Sequence, residues 1–209
     1  MRAKACGWVL VLAMAGCGGF DNSSLQTGTV RGRILGVEAD VARVSVMGRT
    51  DLRASVASDG SFQLDGVPAT SLELFVVASR TRAARKPVVA QGARVTDVGD
   101  IASAPGAFLT VRVMDERGAI PSGIEVEVKG TGLDRIKADA SNGEARLGPL
   151  PVGCYELEVK ADDLEDVEEE ICVREGEQLV RDITLPADDD GGGGDDDGGD
   201  DHGGGKDGG

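Results

Sequence analysis

Cysteine, histidine and carboxylate are the side chains through which this chain could do chemistry, and they are unevenly supplied. Cysteine occurs at 6, 17, 154 and 172 and histidine only at His202, while Asp and Glu together number 37. His202 sits in a tail of glycine and aspartate, so the rest of the chain has no imidazole for a Ser/His/Asp or Cys/His arrangement or for a histidine-ligated metal. Paired carboxyls for glycoside hydrolysis are numerically possible, but they need a substrate cleft between two tuned acids. Short loops leave little room for one. No catalytic residue, metal centre or cofactor is therefore expected, and the covalent chemistry left is that of the cysteines.

Cys154 and Cys172 lie in segments of strict alternation. Tyr155, Leu157 and Val159 are the inward set of one, so Cys154 faces out with Glu156 and Glu158; Ile171 and Val173 face in on the next, so Cys172 faces out with Glu168 and Glu170. A hairpin turning near Asp162-Asp163-Leu164 puts both thiols on one face, because a period of two leaves only two faces. A disulfide there would contribute about 3 kcal/mol. The register that opposes the cysteines also opposes Glu156 with Glu170 and Glu158 with Glu168, which is unfavourable. A slip along the strand relieves the charges but parts the sulfurs, so bridged and free thiols both stay open. The same four glutamates are clustered hard oxygens of the kind a calcium ion prefers.

The element that carries these residues occurs twice. Asn142-Gly143, Glu144 to Leu147, Pro149 to Pro151 and Tyr155 to Val159 echo Asp59-Gly60, Phe62 to Leu64, Val67-Pro68 and Leu72 to Val76. Val44 and Val126, Val46 and Val128, Gly60 and Gly143, and Pro68 and Pro151 keep an offset of about 83 residues, which indicates duplicated globular units and not a solenoid. Short alternations at Val30 to Ile34, Ala42 to Val46, Leu52 to Val56, Phe62 to Leu64, Leu72 to Val76, near Val88 to Ala90 and at Val95 to Ile101 predict seven strands, and Leu109 to Leu185 repeats the set. The expected fold is all-β: two tandem seven-stranded antiparallel β-sandwiches at 27–101 and 107–187, joined by a linker at 102–106, each closing its own core. Phe75 and Phe108 break parity with Leu74 and Leu109; each could be a surface platform for a sugar ring, a sandwich edge or an interdomain contact.

Ser58-Asp-Gly-Ser-Phe62 followed by Val67-Pro68, and Asn142-Gly143 followed by Leu150-Pro-Val-Gly-Cys-Tyr-Glu-Leu157, resemble the carboxypeptidase regulatory-like domain, a transthyretin-like sandwich. The first copy departs from it at Ala69-Thr-Ser71, where a glycine and an aromatic would fall. The resemblance implies the fold and almost nothing about activity, since such domains are appendages to many kinds of protein. Related pilin and adhesin modules lock themselves by a lysine amide bond; neither Val30 to Leu35 nor Phe108 to Met114 contains the lysine this needs.

The two ends carry other signals. Met1 to Gly16 has a basic start, the apolar run Trp8 to Met14 and small residues before Cys17, the layout of an exported leader too short to span a membrane. Met14-Ala-Gly-Cys17 resembles the bacterial lipobox, which implies cleavage before Cys17, lipidation of that thiol and an anchored tether over 17–26. By resemblance to the enterobacterial sorting rule, in which Asp after the cysteine retains a lipoprotein at the inner membrane, Gly18 implies the outer membrane of the cell envelope. Export leaves Cys154 and Cys172 as an even pair in an oxidising compartment. The segment 188–209, rich in Asp and Gly with no apolar residue, is expected to be disordered and solvated.

Charge is graded along the chain. Formal net charge is −15; residues 27–101 hold 10 basic against 8 acidic side chains, and 107–187 hold 9 against 19. Arg80, Arg82, Arg85 and Lys86 are expected in a loop equivalent to the one bearing Asp162, Asp163, Glu165 and Asp166. Both are solvated hairpin ends, or else the basic loop meets anionic lipid headgroups or the acidic loop of a neighbouring molecule, arranging copies head to tail. Nucleic acid is disfavoured by the negative balance. The sequence thus points to a non-enzymatic, membrane-anchored interaction or spacer protein with an unknown envelope protein as partner, or alternatively to a glycan-binding lipoprotein. Its oligomeric state stays open.

Overall fold

The computed structural model describes residues 26–134, 136–137, 139 and 141–188. Fifteen strands run through them: β1 (Thr27–Ile34), β2 (Arg43–Val46), β3 (Arg49–Ser55), β4 (Ser61–Pro68), β5 (Ser71–Val77), β6 (Arg82–Val89), β7 (Val95–Ile101), β8 (Ala104–Pro105), β9 (Ala107–Asp115), β10 (Glu125–Val128), β11 (Ile136–Lys137), β12 (Glu144–Leu150), β13 (Gly153–Lys160), β14 (Val167–Val173) and β15 (Gln178–Leu185). Alternation decides which side chains turn inward, as where Phe62 and Leu64 of β4, or Leu109, Val111 and Val113 of β9, are buried between exposed or half-buried neighbours.

The strands form a first sandwich, with sheets β4-β1-β7 and β3-β2-β5-β6-β8, and a second, with sheets β12-β9-β15 and β11-β10-β13-β14. The duplication reaches the turns: Asp59 Oδ1 accepts from the Ser61 N–H at 2.9 Å, and Asn142 Oδ1 accepts from the Glu144 N–H at 3.0 Å at the matching position. Two features differ from the antiparallel tandem expected. The first and seventh strands of each unit, β1 with β7 and β9 with β15, are parallel neighbours. The stretch read as a linker contributes β8, whose Ala104 and Pro105 pair with Ala83 and Arg82. The sixth strand also begins earlier than the apolar run at Val88 suggested.

A third difference concerns the cores. The first sandwich buries Val30, Ile34, Phe62, Leu64, Leu74 and Val76 among others. Phe75 and Val77, on the opposite face of β5, belong to the apolar cluster of the second sandwich with Leu147, Leu150, Tyr155 and Leu157. Strand β5 is thus buried on both faces, which is why Leu74-Phe-Val-Val-Ala78 reads as a continuous apolar run and not as an alternation. The second core is closed in part by a side chain from the first unit, so the two sandwiches do not close independently.

The second sandwich packs against the outer face of β2, β5 and β6. The Phe75 and Tyr155 rings meet edge to face, 6.4 Å between centroids, and the Arg85 guanidinium lies 4.9 Å from the Tyr155 ring centre. Buried Ser45 donates to the Thr131 carbonyl at 2.6 Å, and the Gly48 N–H donates to the Gly130 carbonyl at 2.8 Å. Two glycines permit the close approach: a Cβ on Gly132, at φ +73°, would fall 2.7 Å from Ser45 Oγ, and one on Gly153, at φ +152°, would fall 2.2 Å from an Arg85 nitrogen. Arg43 and Arg53 add exposed ion pairs to Asp134 at 3.5 and 3.8 Å.

Burying a phenylalanine side chain stabilises by about 1.5–3 kcal/mol, and truncating one in a packed core costs about 3–5 kcal/mol. Phe75→Ala should therefore destabilise both halves together in chemical denaturation. Followed through Tyr155 fluorescence, the second half should loosen even though the substitution lies in the first.

Candidate interaction surfaces

The hairpin of β13 and β14 has the register in which Cys154 faces Cys172, and a disulfide joins them. The same register places Glu156 opposite Glu170 and Glu158 opposite Glu168. Two lysines offset the repulsion. Lys129, just past β10, brings Nζ to 3.1 Å from Glu156 and 3.0 Å from Glu158 and also bonds Glu168; Lys160 reaches Glu158 at 3.3 Å and bonds Asp166. Glu158, expected to stand in solvent, is buried beneath these ammonium groups. Burial pushes its carboxyl up, but hydrogen bonds from Lys129 and Lys160 outweigh that and hold it below its ordinary value. The acids raise the pKa of Lys129, Glu168 foremost. An ammonium group therefore holds three of the four glutamates considered as a cation cage. Cys154, Cys172 and Glu170 also lie close together, but the sulfurs are bonded to each other and are not thiolate ligands.

The basic group is placed differently from the loop expected. The β5–β6 turn is tight, closed by the Ala78 and Ser79 N–H groups donating to the Arg82 carbonyl, so Arg82, Arg85 and Lys86 fall on β6 itself. Arg80, in the turn, pairs with Glu38 at 3.3 Å and Asp40 at 2.7 Å. Arg82 donates to Ser103 beside β8. Arg85 lies between the Tyr155 ring and Glu73, whose Oε2 is 3.2 Å from its Nε in a charge contact poorly aligned for a hydrogen bond. Three of the four cations thus serve internal contacts, two of them at the junction of the units. Burial pushes the Tyr155 hydroxyl up to about 12 despite Arg85 nearby, and that hydroxyl donates to the Pro151 carbonyl at 2.7 Å.

The acidic loop does lie at the matching place, between β13 and β14, but it is longer than its counterpart. Asp162 accepts from Ser122 Oγ at 3.0 Å, Asp166 is bonded by Lys160, and the Glu165 N–H donates to the Pro186 carbonyl at 3.1 Å; Asp163 is exposed at φ +59°. The two aromatics that broke parity are both engaged. Phe75 is 1 % exposed, and the half-buried Phe108 ring carries the Arg146 guanidinium 4.3 Å above it, so neither offers an open ring face to a sugar. A depression of about 550 Å³ is lined by Arg31, Arg33, Phe62, Asp97 and Asp100, and its two acids are paired with its two arginines at 3.0 and 2.9 Å. Cys17 and nearly all of the acidic tail lie outside the described residues.

No protein-family model matches the chain, and no curated protein matches it. Solved structures with similarity to it include the Bacillus anthracis TIE protein, at 14 % identity over 78 % of this chain and 34 % of that one, with a TM-score of 0.35. A Streptococcal ancillary pilin is 11 % identical over 78 % of this chain and 62 % of that one, with a TM-score of 0.31. A DUF3823 family protein from Bacteroides ovatus is 13 % identical over 71 % of this chain and all of that one, with a TM-score of 0.30. The chain thus spans about a third of the first of these and under two thirds of the second. Values this low carry no functional information.

Opening the Cys154–Cys172 bridge frees a loop of 18 residues and leaves opposed glutamates on an untethered hairpin. Reduction, or Cys154→Ala with Cys172→Ala, should cost about 3 kcal/mol in urea denaturation. Lys129→Met should destabilise the protein at pH 7, where Glu158 is charged. A depressed carboxylate contributes stability above its unfolded value, here 4.5, and loses it as pH falls through the folded one. The gap between native and Lys129→Met thermal midpoints should therefore narrow from pH 7 to pH 4.

Proposed function

We propose that this chain is a non-enzymatic spacer of the bacterial cell envelope, held to a membrane by lipid on Cys17, that carries two carboxypeptidase regulatory-like sandwiches as one rigid unit. One observation carries the reading. The side chains that looked available for binding are spent on internal structure: three of the four cations on neighbouring carboxylates, Ser103 and the Tyr155 ring, the Glu156, Glu158 and Glu168 carboxylates on Lys129, and Phe75 on the second core. What the second unit turns outward is acidic. Glu170, Asp163 and Glu165 are exposed near the hairpin, and the partner such a face fits is a basic or polar envelope protein. The glycan-binding alternative is weakened by the engagement of both Phe75 and Phe108.

The anchor is tested by expressing the full chain in a bacterial host with a labelled fatty acid. The native protein should take up label and sediment with membranes, and Cys17→Ala should do neither. A native protein that stays unlabelled, soluble and in possession of residues 1–16 would remove the anchored reading.

A further inference from the structure

Each sandwich is entered through its first strand, whose parallel neighbour is its seventh; in the first unit the two-residue β8, paired with β6, follows before the chain leaves. Thr29 to Ile34 of β1 pair with Val95 to Ile101 of β7, with one register shift, and Phe108 to Asp115 of β9 pair without a break with Gln178 to Leu185 of β15. This geometry has a mechanical consequence. In a parallel pair, the start of one strand and the end of the other lie at opposite ends of the ladder. Tension along the chain slides the strands past each other and strains every slanted, evenly spaced hydrogen bond together. In an antiparallel hairpin the two free ends lie side by side, and the bonds open one at a time.

We infer that the protein is built to carry tension along its length, with β1–β7 and β9–β15 as the paired strands that resist it. This deepens the spacer reading above and takes its biological use from it. Side chains reinforce the first of these pairs. Arg31 on β1 bonds Asp97 on β7 at 3.0 Å, and Arg33 forms a fork to Asp100 at 2.9 and 3.0 Å, so both ion pairs span the sliding interface. In the second unit Arg112 on β9 bonds Glu144 on β12 at 2.8 Å, so the longer β9–β15 ladder rests on its backbone hydrogen bonds. β1 and β9 are each the centre of a three-stranded sheet, so the seventh strand is the one that must be drawn out. The shorter, shifted β1–β7 ladder is the weaker of the two. The disulfide adds a stop: once the second unit yields, the chain between Cys154 and Cys172 cannot extend.

Single-molecule pulling on the full chain tests this. Handles on bio-orthogonal residues at Gln26 and Asp188 load both ladders in shear, and handles at Ala102 and Glu175 pull the starts of β9 and β15 apart from one end. Rupture force, which the unfolding barrier governs, should be about twofold higher for the second sandwich in the first arrangement. Reductant identifies that event by lengthening it about 6 nm, at ~3.5 Å for each of the 18 residues of separation. Equal forces in the two arrangements would overturn the inference. A chain that resists shear but carries no acyl group would leave the mechanical inference standing and refute the anchor, while an acylated chain with equal forces would do the reverse.

Discussion

The structure depends on the burial of β5 from both sides. Leu74 and Val76 complete the first core while Phe75 and Val77 complete the second, so a single strand is shared by two hydrophobic interiors. Small sandwiches bury a modest fraction of their surface and sit close to the threshold of stability. The first unit here gains by covering the outer face of its larger sheet. The second gains a phenylalanine to close one end of a core whose own aromatic is Tyr155. Docking is also specific. Ser45, Thr131 and Gly48 have their polar groups paired, and at Gly132 a Cβ would run into Ser45.

That constraint reorganises the electrostatics. The cations of β6 and its turn do not form an open patch: docking sets Arg85 against Tyr155, and within the first unit Arg80 pairs with Glu38 and Asp40. Beside the junction, the disulfide holds a register that the glutamates alone would avoid, and Lys129 and Lys160 make it tolerable. Exposed ion pairs contribute little individually. Here they matter because one of their carboxylates, Glu158, is buried.

Much of this was legible in the sequence, and the limits have physical causes. A period of two settles which face a side chain takes, so the strands, the repeated Asp59 and Asn142 turns and the shared face of Cys154 and Cys172 all follow from local pattern. Partners distant in sequence do not. The parallel pairing of β1 with β7 and of β9 with β15 leaves no trace in alternation, and the burial of Glu158 depends on a lysine arriving from another strand. The docking did leave a signal, the unbroken apolar run Leu74 to Ala78, which an expectation of one buried face per strand passes over. The basic loop was misplaced for a related reason: equating it with the acidic loop assumed equal lengths, whereas a tight turn puts three of its four residues on β6.

Proton–proton contacts between the Phe75 and Tyr155 rings in solution test the central claim most directly. Rings meeting edge to face at 6.4 Å between centroids place protons close enough for strong nuclear Overhauser cross-peaks, and the account predicts them in the native protein at neutral pH. Their absence, with the Phe75 ring open to solvent, would mean two independent sandwiches on a string and would contradict it.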